Sequence, residues 1–239
     1  MTPDPAMLHA VAEATWPPAA TQTLGPVTLR DGKGGGKRVS AATATPPVTA
    51  KEIARAEDAM RARGQAPLFQ VREGEEDLDR LLAGRGYGIV DPVNVLVAPV
   101  AALVGERPPR LTIFTIWEPI EIMREIWAEG GIGPARVAVM ERAAGPKTGL
   151  FARHADKPAA AGFAAISRDV CMVHALEVRA HHRRAGLGRL MMVQAALWAE
   201  ARGAAHLAVL CTRANAPANG LYAAMGFRVA TTYHYRQKE

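Results

Sequence analysis

The chain has two cysteines, few aromatic residues and no long apolar run, and each shortage removes a class of protein. Cys171 and Cys211 are too few and too far from His or Cys partners for a disulfide framework or a metal cluster. Both lie in apolar, strand-like stretches and read as buried, reduced thiols, so no metal site is expected. No stretch approaches the ~18 continuous apolar residues of a membrane span. The start, MTPDPAMLHAVAEATWPP, has neither the basic head nor the apolar core of an export signal. The expectation is a cytoplasmic protein with no membrane partner. Aromatics make up 5% of the chain, and no run interleaves them with repeated Arg or Lys as a nucleic-acid groove would. Nucleic acid is therefore not the expected partner, although a net charge of +6 suits an anion of some kind.

What the chain does have is a core's worth of apolar residues, 49% of 239, and an internal repeat. MRARGQAPLFQV (60–71) and AEARGAAHLAVL (199–210) both read as a helix end at Ala-Arg-Gly followed by a strand opening on Leu. Ala62, Arg63, Gly64 and Leu68 precede Ala201, Arg202, Gly203 and Leu207 by 139 positions; Leu81, Gly86 and Tyr87 precede Leu221, Gly226 and Phe227 by 140. A nearly constant offset over two successive units points to a duplicated fold. The paired prolines and mixed charge of VGERPPRLT (104–112) mark the boundary, giving domains 1–107 and 108–239.

In the second half the patterning predicts a strand near Leu111–Thr115 and a helix through EPIEIMREIWAEGG. Strands follow near 135–141, 149–153, 159–167 and 170–178, then a helix at 188–202, a strand at 205–211, a helix at 217–225 and a final strand FRVATTYHYR. Tyr233 and Tyr235 share a face of that last strand and suit core or dimer contacts. The fold class is α/β (α+β), with mixed, mostly antiparallel sheets flanked by helices. The glycine-rich GKGGGKRVS (32–40) fails as a nucleotide loop, because Arg38 stands where Ser or Thr would meet magnesium; it reads as a hairpin turn.

The chemistry gathers at HHRRAGLGRL (181–190). A strand running into a glycine-rich turn and then a helix presents the helix's unpaired N–H groups and positive dipole end to an anion. Gly186 and Gly188 let the backbone come close to a diphosphate, and Arg183, Arg184 and Arg189 supply charge at the rim.

HALEVRAHHRRAGLG resembles motif A of the GNAT superfamily of acyl-CoA-dependent N-acyltransferases, with Val178, Arg183, Gly186 and Gly188 in the fixed places. Downstream, NAPANGLYAAMGF is similar to the same family's motif B through Asn215, Ala218, Leu221, Tyr222, Gly226 and Phe227. The resemblance covers about 50 residues and implies two GNAT-like lobes, the second catalytic. It implies that coenzyme A rests its diphosphate on Arg183, Arg184, Ala185, Gly186, Leu187, Gly188 and Arg189, with its pantetheine arm along Leu176, Glu177 and Val178 and with Asn215 and Tyr222 completing the site.

The implied reaction moves acetyl from acetyl-CoA to a small-molecule or peptide amine in a ternary complex. An N–H at the strand end would act as in an oxyanion hole, and Tyr222 would protonate the leaving thiolate. HALEV also looks like the HALAV of serotonin N-acetyltransferases, whose His deprotonates the amine, so His174 is the candidate base, directly or through water. Strict alternation puts Met172, His174, Leu176 and Val178 on one face and Glu177 on the other. Neither cysteine is expected near the site, which favours direct attack. Trp117, Glu118 and Glu121 fall in the family's acceptor region.

Projected back through the repeat, Arg183–Gly188 becomes Ala44–Thr49, where Pro46 and Pro47 remove backbone donors; Tyr222 becomes Leu82, and Asn215 becomes Glu75. The first half thus reads as a lobe without a coenzyme site. The alternative is a non-catalytic acyl-CoA-binding regulatory module, which would keep the loop and not need Tyr222 or His174. A monomer or a homodimer fits either reading.

Overall fold

Asp4 and Pro5 open the first element: the Asp4 carboxylate accepts from the Met7 amide at 2.7 Å, and a proline in the first turn costs no hydrogen bond. In the computed structural model, which describes residues 2–238, that helix is α1, Pro5–Thr15. It is followed by β1 Ala20–Leu24, β2 Val27–Asp31, α2 Lys37–Ser40, β3 Thr43–Ala44, α3 Ala50–Arg61, β4 Leu68–Arg72, α4 Glu76–Gly84 and β5 Gly88–Pro99. Then come β6 Ile113–Ile116, α5 Glu121–Glu129, α6 Pro134–Arg142, β7 Lys147–His154, β8 Lys157–Ser167 and β9 Val170–Val178. The chain ends with α7 Leu187–Glu200, β10 His206–Thr212, α8 Ala216–Ala224 and β11 Arg228–Gln237.

Two compact units share these elements. The first takes the chain up to Pro17, Val95–Cys211 and Asn215–Ala230; the second takes Pro18–Asn94, Thr212–Ala214 and Thr231 onward. Residue 107 lies inside the long middle segment of the first.

In the first unit the strands run in the order β10, β9, β8, β7, β6, with β9 parallel to β10 and the rest antiparallel. Helix α7 packs on one face and α1 and α5 on the other. Alanine makes the α7 side thin: Ala160 and Ala164 of β8 meet Ala195, Ala196 and Ala199 of α7, around Leu150, Val173, Met191 and Leu207, all buried. The apolar alternation was enough to place β7 to β10 within a few residues.

One prediction fails. The strand expected at 135–141 is helix α6: Gly133 and Pro134 start it, and buried Val137 and Met140, three apart, define its inner face.

The second unit holds a three-stranded sheet, β1-β2-β3, and strands β4 and β11 paired antiparallel from Arg72↔Tyr233 to Leu68↔Gln237. Its core gathers Val27, Leu29, Ile53, Met60, Phe69, Leu78 and Leu82. The glycine-rich turn at 32–36 leads not into a hairpin strand but into the helical turn α2, after which only Thr43 and Ala44 pair with β2. Tyr233 and Tyr235 are each 4% exposed and join through their hydroxyls at 3.4 Å, as the core reading required. Asp79 receives two hydrogen bonds from Arg236 at 2.8 Å and ties α4 to β11.

Candidate active site

Strands β9 and β10 pair from Val170↔His206 to Val173↔Val209; β9 then continues along β8 to Val178, so the parallel pair parts at its C-terminal ends. Ala175 stands at that point with φ +50°, and the β8–β9 register shifts between Ala161 and Phe163. A bulge turns the alternation over. His174 lies opposite Phe163 and Glu177 opposite Ala161, so these two share a face; Leu176 and Val178 join Val173 in the cluster under α7. The expectation that His174 faces the same way as Leu176 and Val178 is overturned, because one extra residue in the strand moves every later side chain across the sheet. Glu177, not Leu176, is its companion.

The turn after β9 prepares the start of α7. Arg184 (φ +67°) and Gly186 (φ +77°) both take left-handed backbone, and Gly186 caps the helix with no side-chain hydrogen bond. Leu190 donates to the Gly186 carbonyl at 3.1 Å, which leaves the amides of Leu187, Gly188 and Arg189 as the open first turn of a 14-residue helix. Arg183, Arg184, Ala185 and Gly186 are exposed, and Leu187 is buried beneath them. Gly188 has a different task from the one expected: a Cβ there would meet Leu221 Cδ2 at 3.0 Å, so its missing side chain lets α7 approach α8. Arg189 is held by Glu106 at 2.7 Å.

Helix α8 places Tyr222. Asn215 caps it by accepting from the Ala218 amide at 3.1 Å, and Pro217 sits in its first turn. Tyr222 is 7% exposed, packs on Phe227 with ring centroids 5.6 Å apart, and belongs to the same cluster as Leu176, Val178 and Leu187. Burial, and then the neighbouring Cys211, push its phenol well above the usual tyrosine value, so it stays protonated through the neutral range. Cys211 also lies in that cluster, against the expectation that neither cysteine would be near. Burial raises the pKa of its thiol, which makes it a poor nucleophile.

His174 occupies the opposite face. It is 4% exposed between Trp16 and Phe163, with ring centroids at 5.0 and 6.2 Å, and its Nε2 is 2.9 Å from Thr15 Oγ1. The Thr15 hydroxyl donates its one proton to the Val11 carbonyl at 2.7 Å. The His174 Nε2 is therefore the donor in that pair. Trp117 packs on Phe163 at 5.7 Å on the same face, while Glu118 is exposed. Glu121 lines a cavity of about 260 Å³ between α5 and α6 with Arg124, Glu125, Ile132, Pro134 and Val137.

Sequence reasoning missed how β9 is fastened to α5. Trp127 Nε1 donates to the Ala175 carbonyl at 2.9 Å, and Arg179 binds Glu129 through two bonds of 2.9 and 2.7 Å. Gly130, which ends α5, is the seat of Glu177: a Cβ there would lie 2.6 Å from the Glu177 side chain. The one signal for these was the glycine pair ending the α5 pattern. Among the described residues, no group of three His, Cys, Asp or Glu could hold a metal ion, and no helix is long and apolar enough to cross a membrane.

Comparison with known proteins converges on one family. Residues 117–227 match the model described as the acetyltransferase (GNAT) family. Streptothricin acetyltransferase of Streptomyces lavendulae is 44% identical over 71 residues, which are 28% of this chain and 38% of that protein; the match thus spans well under half of the relative's length. Among solved structures, a GCN5-related N-acetyltransferase from Kribbella flavida superimposes with a TM-score of 0.76 at 20% identity, covering 98% of this chain and 95% of its own. A tandem GNAT protein from the clavulanic acid biosynthesis pathway gives 0.67 at 14% identity, covering 98% and 88%. These two establish likeness of fold over nearly the whole chain.

Proposed function

Over residues 117–227 this chain belongs to the GNAT acetyltransferase family, and from that premise we propose that it transfers the acetyl group of acetyl-CoA to an amine by direct attack in a ternary complex. The observation that carries the reading is the uncapped start of α7 beside the parted ends of β9 and β10. Amides of Leu187, Gly188 and Arg189, with Arg183 and Arg184 at the rim, suit a diphosphate; Leu176, Glu177 and Val178 offer a strand end for the pantetheine amides. Acetyl-CoA supplies the activated thioester and the leaving thiol.

Tyr222 holds its proton at neutral pH and donates it to the departing sulfur; Asn215 sets the helix that aims it. Deprotonation of the amine belongs to the β9 face that carries His174 and Glu177. His174 enters as base only through Nδ1, since Nε2 is engaged with Thr15. Raised by burial, the Cys211 thiol supports transfer without a covalent enzyme intermediate.

In this reading residues 108–239 form the catalytic lobe, and residues 1–107 a related lobe that has given up coenzyme binding. Support comes from matched backbone: Gly86 and Gly226, 140 apart, have φ +84° and +83°, and Gly64 and Gly203, 139 apart, +69° and +76°.

Release of thiol from acetyl-CoA is the test, with a panel of amines that starts with streptothricin because of the shared 71-residue segment. Amine-dependent thiol release supports the reading. Coenzyme binding with no release to any amine would instead favour the non-catalytic module.

A further inference from the structure

Arg183 lies back along β9. Its Nε donates to the Val178 carbonyl at 3.1 Å and its Nη2 to Glu177 Oε1 at 3.1 Å, so the guanidinium covers the strand end expected to meet pantetheine. The two partners of this ion pair are unequal. The Glu177 side chain is 21% exposed and fixed against Gly130; the Arg183 side chain is 61% exposed and long. No other cation is placed to replace Arg183, because Arg179 is engaged with Glu129 and the Pro158 carbonyl. The carboxylate stays and the guanidinium can leave.

We propose that Glu177 is an exchangeable counter-ion: it holds Arg183 until the coenzyme's diphosphate takes that guanidinium, and then receives the ammonium group of the acceptor. The inference rests on the coenzyme reading given above. Phosphate engages a guanidinium through two parallel charge-assisted bonds, whereas Glu177 receives one here, so the exchange runs toward the diphosphate. Moving Arg183 also uncovers the Val178 carbonyl for pantetheine. What remains is a fixed carboxylate, half-sheltered by α5, on the face shared with His174. A buried-side carboxylate that has lost its cation selects another cation. The acceptor is therefore an alkylammonium compound, and it binds after the coenzyme.

Calorimetric titration of the full chain with coenzyme A tests the exchange. Glu177→Gln should bind it three- to tenfold more tightly than wild type, a modest gain because an exposed pair is worth little. That gain should vanish in an Arg183→Gln background, as coupled partners require. Gly130→Ala, which crowds the same carboxylate without altering charge, should move affinity in the same direction. 1,5-Diaminopentane, as the ammonium probe, should bind the wild-type coenzyme complex at least tenfold more tightly than the free protein, and the Glu177→Gln complex no better than the free protein. Unchanged or weakened coenzyme affinity in Glu177→Gln would overturn the exchange, as would a gain that persists with Arg183→Gln; equal diamine binding in both complexes would overturn the acceptor half. A wild-type protein that takes up no coenzyme A would overturn the coenzyme reading and this inference together.

Discussion

Helices α3 and α7 follow a short strand and a turn at corresponding places in the repeat, yet their first turns are finished in opposite ways. At α3, Thr49 and Glu52 form a capping box: the Glu52 amide donates to Thr49 Oγ1 at 3.4 Å, and the Thr49 amide donates to Glu52 Oε2 at 2.7 Å. At α7, glycine caps with nothing, and the amides of the first turn are left to an outside partner. Preceding turns differ to match: proline at 46 and 47 on one side, arginine at 183 and 184 on the other. A single construction thus serves as a sealed structural end in one place and an anion site in another. The side chains at the cap decide which.

The sharpest way to break this contrast is to seal α7. Gly186→Asp would bring a carboxylate to the open amides and repel the diphosphate; with two or three charge-assisted bonds lost, coenzyme affinity should fall on the order of 10³-fold by calorimetry. Gly186→Ala carries only the backbone strain of its left-handed conformation and should lose far less. Next in size is Tyr222→Phe, which should lower the rate by on the order of 10² and leave coenzyme affinity unchanged, a split read from steady-state kinetics beside calorimetry. Its counterpart Leu82→Tyr should confer no activity, because the α3 end stays closed.

Opening α3 sharpens the contrast from the other side. Thr49→Ala should cost about 1 kcal/mol in chemical denaturation while creating no coenzyme site, since the turn before it lacks arginine. The smallest effect is electrostatic. The Thr49 backbone amide, then its hydroxyl, hold the Glu52 carboxyl below the ordinary glutamate range. Such a group stabilises the fold above its unfolded pKa near ~4.3 and loses that contribution as pH falls through its lower folded value. Amide shifts at Thr49 and Glu52 should therefore titrate below about pH 4 while those at Leu187 and Gly188 do not, the α7 cap having no carboxylate.

Much of this was legible in the residues. The strand–turn–helix around Gly186 and the helix around Tyr222 stand where their spacing put them, because glycine, proline and Asn215 act locally. Local patterns say less about what lies between elements. Alternation cannot see a bulge, so one residue at Ala175 reversed the expected faces of Leu176, Glu177 and Val178 relative to His174. Val137 and Val139 imitate a strand unless Gly133-Pro134 is given priority as a helix start. Thr15 and Trp16, which hold His174, come from a helix 159 and 158 positions away, and nothing near His174 announces them.

The most direct test of the central claim is a coenzyme A titration followed through backbone amide resonances. The account predicts concentrated, saturable shifts at Gly186, Leu187, Gly188 and Arg189, with Ala50, Lys51 and Glu52 unmoved. Shifts at the α3 amides, or saturation that leaves the α7 amides unchanged, would contradict it.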